Sequence, residues 1–167
     1  MLELCYYGDT ALRKTASPVE KFDEGLAALV ERMLETMRAE DGVGLAAPQV
    51  GESLRLFIID TGGGEDEPYV MANPEIVYAS DEKMVEEEGC LSLPGITLTV
   101  TRSAMVSVKA QDVKGEPYMI ENAEGLMAKA IQHEMDHLNG ILFIDHVSPV
   151  QRALLSGKLK KIAGKKQ

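Results

Sequence analysis

Gly125-Leu-Met-Ala-Lys-Ala-Ile-Gln-His-Glu-Met-Asp-His-Leu138 is the stretch on which the fold turns. Its apolar residues recur with a helical period, and Asn139-Gly140 behind it supplies a stop. A helix over about Gly125–Leu138 sets His133 and His137 four apart on one face, where both imidazoles can meet one divalent cation. Glu134, about 100° round, then reaches a water beside that cation. Ordinary His and Glu frequencies would produce such a pattern in under about one chain per hundred of this length. On a helical projection Leu126, Met127, Ala130, Ile131 and Leu138 share the broad side of the two histidines and Glu134, whereas Lys129, Gln132 and Asp136 fall on the other. The chemical groups therefore face inward. There a carboxylate and two imidazoles are costly unless a cation satisfies them.

Around this helix the chain alternates between strand and helix signals. Asp23 can cap a helix whose apolar positions Leu26, Leu29, Val30, Met33, Leu34 and Met37 keep the i, i+3, i+4, i+7 spacing, ended by Asp41-Gly42. Strands are expected at Leu54–Asp60, Tyr69–Ala72, Ile76–Ser80, Ile96–Thr101, Ala104–Gln111 and Tyr118–Ala123, with a hairpin turn over Val113–Glu116. Ser148-Pro149 offers a cap and first-turn proline for a last helix to about Ile162. Helices bracketing antiparallel strands make an α+β fold. No repeat or linker divides the 167 residues, so a single catalytic domain over 1–167 is expected, with 148–167 as a C-terminal helix and basic tail.

The composition is that of a folded globular chain, with 45% hydrophobic and 26% charged residues. It excludes collagenous, disordered and multi-span membrane classes. Two cysteines 85 positions apart make no disulfide framework, and the opening MLELCYYGDT lacks a secretory pattern, so a reducing, cytoplasmic setting is expected. The formal charge is −10, yet Arg152, Lys158, Lys160, Lys161, Lys165 and Lys166 stand without any acid in residues 151–167, leaving −16 on residues 1–150. Such a body is unsuited to DNA, and only the basic tail could approach a polyanion.

Two histidines need a third ligand. The two common metallopeptidase continuations fail: position 143 is Phe143 where a third histidine would stand, and no Glu follows Glu134. Candidates are His146, Asp145, Cys5 and Cys90. A lone cysteine is most often a small buried hydrophobe, and His146 beyond Ile141–Ile144 is most often solvated or a cap. Cys90 differs in lying beside Gly89, which permits close backbone approach.

Three segments together carry a family resemblance: Gly42-Val43-Gly44-Leu45-Ala46-Ala47-Pro48-Gln49, Glu88-Gly89-Cys90-Leu91-Ser92 and His133-Glu134-Met135-Asp136-His137. In kind, order and separation they resemble the signature segments of peptide deformylases. The resemblance runs from the first helix to about Val147. It implies antiparallel strands packed around the central His-Glu-x-x-His helix, with an N-terminal and a C-terminal helix. It implies a metal-dependent hydrolase of protein biosynthesis that removes the formyl group from the N-terminal formyl-methionine of nascent chains and releases formate. One divalent ion per chain would be held by Cys90, His133 and His137, with a fourth position left for water. Iron(II) is expected in the cell, with zinc, nickel or cobalt as substitutes on the same donor set.

The resemblance further implies that Glu134 takes a proton from that water and passes it to the departing amine. Gln49 and the Leu91 N–H would meet the oxyanion. Gly44 and Gly89 would let the peptide backbone lie alongside as an added strand, and Val43, Leu126 and Ala130 would receive the methionine side chain. Glu88 is expected to pair with Arg102, the nearest basic residue downstream. The basic tail has two readings, a contact with the ribosome or ordinary solvated surface. Three alternatives carry less: a phosphate loop at Gly42–Gln49 lacks the Gly-Lys-Ser/Thr ending, a metallopeptidase lacks its downstream ligand, and a closed structural site needs a fourth protein ligand such as His146 or Asp145.

Overall fold

The computed structural model describes residues 1–165; Lys166 of the basic tail and Gln167 lie outside the described residues. Helix α1 (Glu24–Ala39) starts where expected, the Asp23 carboxylate accepting the Leu26 N–H at 3.0 Å, a cap of about 1 kcal/mol. It buries Leu26, Val30, Met33, Leu34 and Met37. Strand β1 (Gly44–Ala46) and a 3₁₀ turn over Ala47–Val50 follow, then β2 (Leu56–Ile59) and β3 (Tyr69–Ala79). A hairpin of β4 (Lys83–Gly89) and β5 (Thr97–Ser103) comes next, then β6 (Met105–Gln111), β7 (Pro117–Glu124), α2 (Gly125–Leu138), α3 (Pro149–Leu154) and α4 (Ser156–Gly164).

Two antiparallel sheets result. Five strands run in the order β1-β2-β3-β6-β7, and β4-β5 stands as a separate pair. Helix α2 contacts β1, β2 and β7 of the larger sheet and β5 of the smaller, so it is the central helix of an α+β fold. One core cluster joins Phe57, Ile59, Met71, Val106 and Val108 of the sheet to Ala128, Ile131 and Leu138 of the helix. Truncating a fully buried residue such as Ile131 to alanine would cost about 2–5 kcal/mol.

The strands differ from expectation in three places. β1 lies in the glycine-rich first segment, where periodicity gives no signal, yet pairs Gly44–Ala46 with Phe57–Ile59. The two strands expected at Tyr69–Ala72 and Ile76–Ser80 form one, β3, with register shifts on either side of Glu75. Asn73 there adopts φ +49°, a conformation Asn tolerates, and its side chain bonds the Val19 N–H and carbonyl at 2.8 and 3.0 Å. β4 runs through Glu86-Glu87-Glu88, a charge run of poor strand propensity. Cross-strand pairing with β5 overrides that propensity, leaving only Glu88 of the three buried.

The last helix also differs. It breaks at Leu155 into α3 and α4. Ser148 caps α3 as expected, accepting the Gln151 N–H at 3.2 Å. α3 buries none of its residues, whereas α4 buries Leu159 and Ile162 in a third cluster with Leu93, Ile96 and Phe143. The break turns the second half of the segment onto that core.

Candidate metal centre

α2 delivers His133 and Glu134 to the lining of a cleft of about 1150 Å³, with His137 buried behind them on the same helix. The Cys90 segment reaches it directly from the end of β4, because β4-β5 packs beside α2. The Cys90 sulfur and one ring nitrogen from each of His133 and His137 lie within 4.8 Å of one another. His137 Nε2 is 3.4 Å from Cys90 Sγ, and the two imidazoles meet edge-on with centroids 5.0 Å apart. Of the four candidates for a third ligand, Cys90 is the one that joins the histidines.

The other three lie elsewhere. His146 Nε2 bonds Asp136 at 2.7 Å, and Asp145 is held by Arg13 at 2.6 Å and Arg152 at 2.7 Å. The Cys5 N–H donates to the Gln49 carbonyl at 2.7 Å, and its sulfur is outside the cluster. His146 is thus an exposed residue that hydrogen-bonds Asp136 and stands outside the donor cluster.

The donor set suits a divalent metal. One thiol and two imidazoles at this separation form three of the four corners that such an ion takes at a catalytic site. His133 Nδ1 lies 2.9 Å from Glu88 Oε1, which orients the ring and leaves its other nitrogen for the cluster. Glu134 Oε1 and His137 Nδ1 are buried with no hydrogen-bond partner among the described residues. An unsatisfied buried carboxylate oxygen beside an open cleft fits a group that meets water or substrate there.

The electrostatics follow from burial and pairing. Burial works against ionised Glu88, but its hydrogen bonds from Arg102 and His133 outweigh that and hold it at about 2. Arg102 donates from Nε at 2.6 Å and from Nη2 at 2.9 Å, the pairing expected from the sequence, and a third bond reaches Asp136 at 2.9 Å. Burial pushes Glu134 up to about 7. Burial also drives His137 well below its usual value, with the neighbouring His133 adding to the effect, so its imidazole is neutral and able to donate a lone pair.

Gln49 sits on the opposite wall. Its Oε1 accepts the Ala46 N–H at 2.9 Å, which turns Nε2 toward Ser92 Oγ at 3.1 Å and Cys90 Sγ at 3.6 Å. The Leu91 N–H has no partner among the described residues. At Gly44 a Cβ would stand 2.6 Å from Glu134 Oε2, so the α2 carboxylate occupies the space a side chain would need. At Gly89 a Cβ would meet nothing nearer than 3.8 Å, and the glycine leaves that wall open.

Val43, Gly44, Gly89, Leu126 and Ala130 all line the cleft. Leu126 is 43% exposed, at its rim and not on the inward face the projection gave it. The outer side of α2 is not left to solvent either. Gln132 clasps the backbone of Ser103 through bonds of 3.0 and 2.9 Å, Asp136 holds Arg102, and Lys129 pairs with Glu86 at 3.3 Å. Sequence reasoning missed this second role of the helix, the fixing of β4-β5 against it, since cross-element pairing leaves no periodic trace. Three further cleft residues went unforeseen as such: Lys158, Lys161 and Lys165.

The chain matches the family model described as polypeptide deformylase over residues 1–153. It is 52% identical to a peptide deformylase of Thermotoga maritima over 163 residues, 98% of this chain and 97% of that one. It is 57% identical to one of Clostridium botulinum over 142 residues, 85% and 93% of the respective chains. The crystal structure of a peptide deformylase from Legionella pneumophila superposes with a TM-score of 0.92 at 47% identity, covering 100% of this chain and 99% of that one. The chain therefore belongs to the peptide deformylase family of metalloenzymes, hydrolases that remove the N-terminal formyl group from newly made polypeptides and release formate.

Proposed function

We propose that Cys90, His133 and His137 hold the metal, that Glu134 moves the proton, and that Gln49 and Leu91 receive the formyl oxygen. The observation that carries this is the convergence of one sulfur and two imidazole nitrogens within 4.8 Å, with Glu134 buried beside them at the cleft floor. When bound, a divalent cation there supplies Lewis-acid polarisation and makes a nucleophile of water near neutral pH. Glu134 takes the proton of the attacking water and returns it to the methionine nitrogen as the carbon–nitrogen bond breaks, so formate and a free amine leave. The Gln49 Nε2–H and the Leu91 N–H donate to the oxygen on which charge grows. Val43, Leu126 and Ala130 take the methionine side chain, while the strand edges at Gly44 and Gly89 pair with the peptide backbone.

A thiolate with two imidazoles binds iron(II), zinc, nickel and cobalt, and iron(II) is our reading for the cell. A reducing cytoplasm suits that metal and a thiol ligand, and no helix of the described residues is long and apolar enough to cross a membrane. We take residues 1–167 as one catalytic domain, in keeping with a family match that spans 1–153. Ribosome contact through the C-terminal lysines is supported by the exposure of Lys158, Lys160, Lys161 and Lys165. Arg152 is less available, being engaged with Asp145. The deciding assay is formate release from formyl-Met-Ala-Ser with metal content measured on the same sample. Metal-loaded protein should turn the peptide over, and a loaded sample without formate would overturn the assignment of roles.

A further inference from the structure

α4 carries lysines on two sides with different surroundings. Lys158, Lys161 and Lys165 stand at i, i+3 and i+7, one helical face, and all three line the same cleft as Cys90, His133 and Glu134. Lys160, between them in sequence, does not line it. The helix is seated by buried Leu159 and Ile162, in the core cluster that also holds Leu93 and Ile96 of the cleft wall. It packs closely enough on Gly8 that a Cβ there would meet Ala163 Cβ at 2.9 Å. The cationic face is thus fixed in place and is not a trailing segment.

Its charges are unspent. Among the described residues none of Lys158, Lys161 and Lys165 has a carboxylate within 4.0 Å, whereas Lys129 in the same cleft is paired with Glu86. Elsewhere on the cleft lining stand Glu40, Asp41 and Glu87. A formylated N-terminus carries no charge, so the reacting end of the substrate is indifferent to this division. The side chains that follow are not, because unscreened charges act over about 8–10 Å at physiological salt.

We propose that Lys158, Lys161 and Lys165 form a cationic wall of the substrate cleft that favours formylated peptides with acidic side chains shortly after the N-terminal methionine. The acids on the rest of the lining repel such side chains and the lysines attract them, so both guide the peptide along α4. This inference rests on the catalytic reading above. It adds a source of substrate selection to it.

The test compares kcat/KM for formyl-Met-Ala-Asp-Asp-amide with that for formyl-Met-Ala-Asn-Asn-amide, where amidation leaves only side-chain charge to differ. Two carboxylates facing three exposed lysines predict a preference of about fivefold for the acidic peptide at low salt, vanishing near 0.5 M salt, on the order expected for surface ion pairs. The triple variant Lys158→Glu/Lys161→Glu/Lys165→Glu should invert the preference through KM, and Lys→Gln at the same positions should abolish it without adding repulsion. Lys160→Glu should leave the ratio where it is. A parent ratio of one or less, a ratio insensitive to the triple changes, or an equal response to Lys160→Glu overturns the proposal. So does loss of ribosome co-sedimentation in the triple variant with an unchanged ratio, which would make the face an RNA contact. Absence of formate from both peptides with metal-loaded parent protein overturns the catalytic reading itself.

Discussion

Arg102 grips Glu88 through two parallel bonds, Nε to Oε2 at 2.6 Å and Nη2 to Oε1 at 2.9 Å, with both side chains at most 5% exposed. Glu88 is two residues before Cys90 in the chain and 2.9 Å from His133 in space. One carboxylate therefore ties the segment that brings the sulfur to the helix that brings the imidazoles, and Arg102 keeps that carboxylate ionised. Asp136 closes the arrangement by holding Arg102 from α2 and His146 from beyond it.

Arg102→Met should leave Glu88 buried without its counter-charge and cost about 3–5 kcal/mol of stability, read by urea denaturation. The loosened His133 should weaken metal retention about 10- to 100-fold in competition with a chelator. Arg102→Lys cannot restore the two-point grip and should recover only part of either loss. Normal metal retention in Arg102→Met would remove the residue from any role in holding the site.

Cys90→Ser should lose most activity and bind metal more weakly, while Cys5→Ser should change neither. Metal content after dialysis separates the two. Equal affinity in Cys90→Ser and the parent protein would take Cys90 out of the ligand set.

Glu134→Gln keeps the shape of the side chain and removes its capacity to take a proton. Metal should stay bound, and turnover should fall by at least about two orders of magnitude. Near-parent turnover in this variant would end the assignment of Glu134 as base.

Gly44→Ala places a methyl group 2.6 Å from Glu134 Oε2, too close for either to stay where it is. Glu134 is buried and cannot move aside freely, so the carboxylate should shift and turnover fall by about 10²-fold, the scale for misplacing a reacting group by about 1 Å. Bound metal should remain. A fully active Gly44→Ala would show that the carboxylate tolerates displacement.

Asp145 predicts an acid-limb effect. Burial opposes its ionisation, yet hydrogen bonds from Arg13, the Leu142 N–H and Arg152 hold it at about 2, below the 3.8 of an ordinary Asp. A depressed carboxyl stabilises the fold above the unfolded pKa and loses that contribution as pH falls through the folded one. The gain should therefore be complete above about pH 5 and fall progressively through about pH 2, to vanish only below it. Because the pairs with Arg13 and Arg152 are partly solvated, about 1 kcal/mol is expected from them. Asp145→Asn should lower the urea midpoint at pH 7 and lower it much less at pH 2. An equal loss at both values would refute the linkage.

The α2 segment was legible from sequence because its signals are local. Helical period, an Asn-Gly stop and a four-residue histidine spacing all act within one element, as do the Asp23 and Ser148 caps. The three signature segments, read together, also carried the family and its chemistry. What no local signal could tell is which of Cys5, Cys90, Asp145 and His146 would stand beside the histidines from residue types alone. That depends on β4-β5 packing against α2, and β4 is built from a charge run that reads as surface. Likewise the basic tail reads as one cationic patch, since all its lysines look alike in sequence. The break at Leu155 and the burial of Leu159 and Ile162 rotate α4 so that three of them line the cleft and Lys160 does not. Side-chain identity and short-range periodicity are written in the chain, but the meeting of residues 47 positions apart, such as Cys90 and His137, is decided by the packing energy of the whole core.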